Sequence, residues 1–232
     1  MGRFKFEAVW AELDTIFAGV MLTIGLSAGA IVLGLMLAVF LVGLRSLAGR
    51  WAGWLVDAYV ELMRNTPFLI QLFMIFFGLP LIGIRMSGVW AALLAMTLNL
   101  GAYASEIIRA GVDSVHRSQL EAGASLALTP LQVFRYVVLK PAFARVWPAL
   151  SSQFVLMMLA SSICSFIAVR ELSGVAAIIE QNTFRSFEVY IVVTAIYLVL
   201  SLTLKVFLMW LGRRMFPNTS GLARIQASGS TV

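Results

Sequence analysis

An all-helical membrane protein is predicted by two facts of composition and one of pattern. Hydrophobic residues make up 61% of the 232-residue chain and charged residues 12%, and the apolar residues gather in five long blocks. Soluble domains carry roughly 45–50% apolar and about 25% charged residues, so a mean hydropathy of +0.94 has no place in a water-soluble core. Lipid is the solvent that suits it. A span needs about 20 mostly apolar residues, and an isolated spanning segment satisfies its own backbone only as a helix.

The first block covers about residues 15–44 and carries Gly19, Gly25, Gly29 and Gly34, small residues that allow close helix approach in lipid. It is too long for the apolar region of a signal peptide and reads as a retained span. The second, about 55–79, is interrupted by Asn65-Thr66-Pro67. The part after Pro67 is too short to cross alone, so a kinked helix continuing through the proline is expected. The third, fourth and fifth blocks cover about 89–108, 147–169 and 189–211. Together residues 1–216 form one transmembrane domain. The Ser/Gly-rich tail 217–232 reads as disordered.

Lys and Arg set the orientation. Of the 17 basic residues, ten (among them Arg45, Arg109, Lys140, Arg145, Arg213 and Arg214) fall at one set of span ends and five (Arg3, Lys5, Arg85, Arg170 and Arg185) at the other. Arg64 and Lys205 lie near span ends and are left uncounted. The richer side is the cytoplasmic one, which puts the N-terminus outside and the C-terminus inside. The net charge of +6 is spread between apolar segments with no basic run, which argues against nucleic acid as a partner. The single cysteine, Cys164, lies in an apolar segment and cannot form an intrachain disulfide. The single histidine, His116, sits in a polar loop with no metal-binding cluster around it.

The connection 109–146 carries the most information. Ser118-Gln119-Leu120-Glu121 fits a capping box, and Leu120, Ala124, Ala127 and Leu128 then share one helical face. Thr129-Pro130-Leu131-Gln132 fits a second box, with Pro130 at the first helical position, where a missing N–H costs nothing. The helix after it carries Val133, Phe134, Val137 and Val138, and Pro141 and Pro148 punctuate the return to the fourth span. The connection is thus a short helix, a corner and a second helix. Ala122, Gly123, Ala124 and Ala127 leave little bulk, so a partner can approach this backbone closely. A helix lying on lipid would carry bulky apolar and basic faces, and this one has neither.

The stretch Gln119-Leu120-Glu121-Ala122-Gly123-Ala124-Ser125-Leu126-Ala127-Leu128-Thr129-Pro130 resembles the Glu-Ala-Ala loop of bacterial ABC importer permeases. Two more stretches are similar to the polar amino-acid branch of that family: Tyr59-Val60-Glu61-Leu62-Met63-Arg64-Asn65-Thr66-Pro67 followed by Gln71-Leu72, and Gly101 to Val112. The resemblance runs from about Thr15 to Met215. It implies a type I importer subunit in the bacterial plasma membrane that works with a second permease copy or paralogue. It also implies a cytoplasmic ATP-binding subunit and an extracytoplasmic amino-acid-binding protein. On the same resemblance Glu121, Ala122, Gly123, Ala124, Ala127 and Leu128 couple the spans to the ATPase. The chain departs from the family where Gly123 replaces the usual third Ala and Ala127 a later Gly. It departs again at Leu139-Lys140-Pro141 and at Leu159, where the family often has a lysine.

Independently of the family, none of the lysines, Lys5, Lys140 and Lys205, sits in a phosphate-binding Gly-x-x-x-x-Gly-Lys-Ser/Thr loop. ATP hydrolysis is therefore assigned to another chain, and no cofactor is expected on this one. Ionisable groups at membrane depth face a bundle interior or a pathway. Glu61 with Arg64, and Glu106 with Arg109, are each three apart on a helix and can pair; contact with a substrate is the alternative use. Asn99, Ser161 and Ser162, with Ser165, lie deeper, suited to interhelical hydrogen bonds or to a substrate's charged ends. The segment 170–188 reads as a polar outer loop, with Glu171-Leu172-Ser173-Gly174 as a candidate helix start. Two rival classes fit less well. A self-sufficient secondary transporter usually shows inverted repeats, which five spans cannot supply, and a membrane enzyme needs a nucleophile–base pair or metal cluster.

Overall fold

The computed structural model describes residues 6–47, 49–115, 117–129, 132, 133, 137 and 140–216. His116, Arg3 and Lys5, the residues Pro130, Leu131, Phe134 and Val138 of the second loop helix, and the tail 217–232 lie outside the described residues. A short helix, α1 (Glu7–Trp10), precedes α2 (Leu13–Leu47) and α3 (Gly49–Arg64). After a break come α4 (Phe68–Phe73), a π turn (Met74–Gly78) and a 3-10 turn (Leu79–Ile82). Then follow α5 (Gly88–Asp113), α6 (Arg117–Ser125) and α7 (Lys140–Ala160), the last running into a 3-10 stretch, Ser161–Ile167. The chain ends in α8 (Leu172–Thr183) and α9 (Ser186–Met215). The described residues contain no strand.

Four helices, α2, α5, α7 with its 3-10 extension, and α9, are long and apolar enough to cross a membrane. The second span differs from expectation. Its two halves meet at 108° across Asn65-Thr66-Pro67, so the helix does not bend through the proline but stops and starts again. Pro67 is extended (ψ 137°) and opens α4. The broken pair nevertheless crosses. Arg45 at the end of α2 clusters with Glu106 and Arg109 near the end of α5, whereas Gly88 at the start of α5 lies against Ile167 and Val169. Helices α2 and α5 therefore run in the same direction, and the chain between them must return across the bilayer. The chain makes five crossings.

Helix α5 is the most deeply buried of the spans and α9 the least. The core around α5 is lined by Leu72, Met96, Leu100, Ile108, Leu150 and Phe154, all essentially inaccessible. Close approach of α2 to α5 depends on missing side chains: a Cβ at Gly101 would stand 2.6 Å from Leu37 Cδ2, and one at Gly34 would stand 3.0 Å from Leu100. Gly19 and Gly29 also face neighbours, but Gly25 faces open space. The small-residue reading of the first span holds for three of the four.

The fourth span begins earlier than its apolar block. Pro141 falls in the first turn of α7 and Pro148 lies inside the helix, so the prolines sit within this helix rather than punctuating its approach. The outer segment expected as a loop is largely helical. Leu172, Val175, Ala176 and Ile179 of α8 are buried with Val9 and Ile16, which docks α8 onto α1 and the N-terminal end of α2. Its N-cap is Glu171, fully buried, whose carboxylate accepts from Ser173 N (3.0 Å), Gly174 N (2.8 Å), Tyr197 Oη (2.6 Å) and Thr23 Oγ1 (3.5 Å). Burial pushes the Glu171 carboxyl above the usual carboxylate range, and those four donors pull the other way.

Candidate functional site

Two places join unusual local structure to polar chemistry. The first is the break in the second span. A helix end leaves four carbonyls without partners, and in lipid each must find one. The last four residues of α3 all do. Glu61 O accepts from Asn65 N (3.0 Å) and Nδ2 (2.9 Å), and Leu62 O from Thr66 Oγ1 (2.8 Å). Met63 O accepts from Gln71 Nε2 (2.7 Å) and Arg64 O from Tyr103 Oη (3.4 Å). Gln71 is the hub. Buried in α4, it also donates to Thr66 and accepts from Asn99 Nδ2 (2.9 Å).

These residues wall a cleft of ≈ 520 Å³ lined by Arg64 to Phe68, Asn99, Tyr103, Gln153, Leu156, Met157 and Ala160. Asn99 lies 11 residues into α5, about 16 Å from the helix start at 1.5 Å per residue, so the cleft opens beside the middle stretch of that helix. Arg64 stands over the Tyr103 ring, 5.8 Å from its centroid, and its guanidinium is 3.9 Å from Glu106. One wall thus presents a cation and amide groups; the other, from α7, presents apolar carbons and the amide of Gln153.

Of the residues expected at membrane depth, Arg64 and Asn99 line this cleft; Glu61, Glu106, Ser161 and Ser162 do not. Glu61 accepts from Asn65 Nδ2 (2.6 Å) and does not pair with Arg64, because the chain turns away directly after Arg64 and brings Asn65 back over the carboxylate. Glu106 does pair with Arg109, whose Nε is 3.1 Å away, and the guanidinium also reaches Asp113. Ser161, Ser162 and Ser165 each donate three residues back along their own 3-10 helix, to Met158, Leu159 and Ser162. The tight winding there brings those carbonyls within reach, so these hydroxyls serve their own helix; Ser161 also lies beside the Tyr197 hydroxyl. Sequence reasoning leaves Gln71 unassigned because it falls in the short apolar stretch after the break, although it stands four residues after Pro67, where a helix-break partner belongs.

The second place is α6. It starts at Arg117, so Ser118 lies inside its first turn rather than ahead of it. The second box forms reciprocally: Gln132 N donates to Thr129 Oγ1 (3.4 Å) and Thr129 N to Gln132 Oε1 (2.9 Å). Glu121, Ala122, Ser125, Leu126 and Ala127 are exposed, and Leu128 is half-buried. Gly123 turns inward instead, where a Cβ would meet Val133 Cγ2 at 3.1 Å and Val137 Cγ2 at 3.5 Å. It serves the crossing of the elbow's two arms, not its outer surface. The side chain of Ala124 lies outside the described residues.

Ala127 closes α6 in the left-handed region (φ 55°), and Leu128 N donates to Gly123 O (3.3 Å). This is a Schellman cap with alanine where glycine is preferred, a conformation costing an L-residue ~1–2 kcal/mol. Ala127→Gly is expected to stabilise the cap by about 1 kcal/mol, read as a roughly fivefold rise in hydrogen-exchange protection of the Leu128 amide.

Five crossings around a central α5, a broken second span and a helical elbow define the membrane-spanning part of a transport system. The profile of the family described as "Binding-protein-dependent transport system inner membrane component" matches residues 30–217, and the chain belongs to that family. It is 31% identical over 223 residues to the glutamine transport system permease protein GlnP of Escherichia coli (strain K12), covering 92% of this chain and 98% of that one. To the probable glutamine ABC transporter permease protein GlnM of Bacillus subtilis (strain 168) it is 37% identical over 188 residues, 81% of this chain and 85% of that one. A crystal structure of an amino acid ABC transporter with histidines superposes with a TM-score of 0.83 at 32% identity, covering 92% of this chain and 100% of that one.

Proposed function

We propose that this chain is the membrane subunit through which an ATP-driven importer moves a polar amino acid into a bacterial cell, and that the amino acid passes through the cleft at Arg64. The cleft carries this reading. A single guanidinium beside the amides of Asn65, Asn99 and Gln153 offers a carboxylate a charge-assisted hydrogen bond and a polar side chain neutral donors and acceptors. Leu156, Met157 and Ala160, which share the α7 wall with Gln153, offer carbon to pack against carbon. The relatives named for glutamine and the solved amino acid transporter support the same substrate class.

In this reading the N-terminus is outside and the C-terminus cytoplasmic, in accord with the Lys/Arg balance. The exposed face of α6 seats in a cleft of a separate ATP-binding subunit, which carries the hydrolysis; this chain binds no cofactor. A second permease, identical or paralogous, completes the path, and an extracytoplasmic binding protein delivers the amino acid. The experiment is uptake of labelled amino acids into liposomes holding the chain with its ATPase and binding protein. Arg64→Gln is expected to lower uptake about tenfold or more, the worth of a charge-assisted hydrogen bond. Unchanged uptake would remove the cleft from the path. Uptake without ATP, driven by an ion gradient, would instead favour a secondary transporter.

A further inference from the structure

A second cavity, on the lipid-facing side of the bundle, has a different character. It holds ≈ 520 Å³ between α2, α7 and α9, and its lining is apolar apart from Ser27 and Thr203. Ser27 turns its hydroxyl to its own helix, donating to Thr23 O (2.7 Å). On α9 the groove runs from Leu200 to Leu211, about 16 Å at 1.5 Å per residue, the depth of one leaflet of a ~30 Å hydrocarbon core.

The groove also has a polarity of ends. Leu200, Leu204, Phe207, Leu208 and Leu211 form one face of α9, and three residues beyond Leu211 that face arrives at Arg214. Arg213 and Arg214 are both exposed, and neither makes an ion pair among the described residues. Trp147 closes the groove at this level, its Nε1 donating to Leu208 O (2.9 Å), and Phe216 packs on its ring.

From the groove and its basic mouth we infer that an anionic phospholipid binds here as a fixed ligand, one acyl chain along α2, α7 and α9 and its phosphate at Arg214. Depth and volume suit one hydrocarbon chain. A zwitterionic lipid would leave the Arg214 guanidinium without a net negative partner, whereas basic sites between spans favour anionic headgroups.

The test uses the permease purified with its ATPase subunit in nanodiscs of phosphatidylcholine alone, or of phosphatidylcholine and phosphatidylglycerol in equal parts. Phosphatidylglycerol is expected to raise Tm by about 3 °C or more. Arg214→Gln should remove that gain. Lys205→Gln, which deletes the same charge from another face of α9, should keep it. Ala28→Trp, placed on the exposed groove wall, should remove both the gain and the crosslink from a phosphatidylglycerol bearing a photoreactive acyl chain. Equal Tm values in the two lipids, or a loss with Lys205→Gln as complete as with Arg214→Gln, would overturn the proposal. So would crosslinks from the groove to a second protein chain in place of lipid.

Discussion

Glu171→Ala is expected to cost about 3 kcal/mol or more, because two buried amides at the start of α8 lose their acceptor and each unsatisfied donor costs ~1–3 kcal/mol. The same substitution takes from the Tyr197 and Thr23 hydroxyls their shared acceptor, leaving Ser173 Oγ to Tyr197 and Leu172 N to Thr23 as the remaining hydrogen bonds from the start of α8 to α9 and α2. For a chain of this size that loss lowers Tm by about 10 °C, measurable by fluorescence-detected melting in detergent. Glu171→Gln should fall between. Its oxygen can serve either Gly174 N, now met by Glu171 Oε1, or Ser173 N, met by Oε2, but its amide nitrogen then opposes the other. An alanine variant melting with the unsubstituted protein would mean that water replaces the carboxylate and that α8 does not hang on this residue.

Gly123→Glu is the second large effect, and the structure changes its explanation. With a glycine on the outer face of α6, the added carboxylate would obstruct only the docking of a partner. Gly123 instead faces Val133 and Val137, so an added Cβ would press on Val133 at 3.1 Å, and the glutamate would carry its charge in among apolar side chains, where desolvation is costly. The elbow should open, uptake in liposomes should fall to background, and membrane insertion should be unchanged. Ala122→Glu, on the exposed face, separates the two causes. It leaves the elbow closed, so protection of the Leu128 amide stays as in the parent while uptake falls if this face docks. Normal uptake with Gly123→Glu would show that the arms of the elbow need not stay together.

Periodicity and block length were enough to place five crossings and the elbow, because in lipid an apolar run has few alternatives to a helix. Asn65-Thr66-Pro67 marked the interruption but not its angle. Proline forbids one hydrogen bond and disfavours an αR conformation before it, and the 108° turn depends on Gln71, Asn99 and Tyr103, which meet it from elsewhere in the fold. The ion pairs divided along the same line. Glu106 and Arg109 lie on one unbroken helix and pair as the three-residue spacing predicts, whereas Glu61 and Arg64 end a helix and do not. Helix α8 was legible at its start, Glu171-Leu172-Ser173-Gly174, but not in its length or burial, because the burial of Glu171 is created by α2 and α9, 148 positions away in the case of Thr23.

The four carbonyls released where the second crossing stops are all taken by the protein's own side chains. A joint whose released acceptors are tied by its own side chains does not wait on an arriving solute to satisfy them, so filling the neighbouring chamber need not build it.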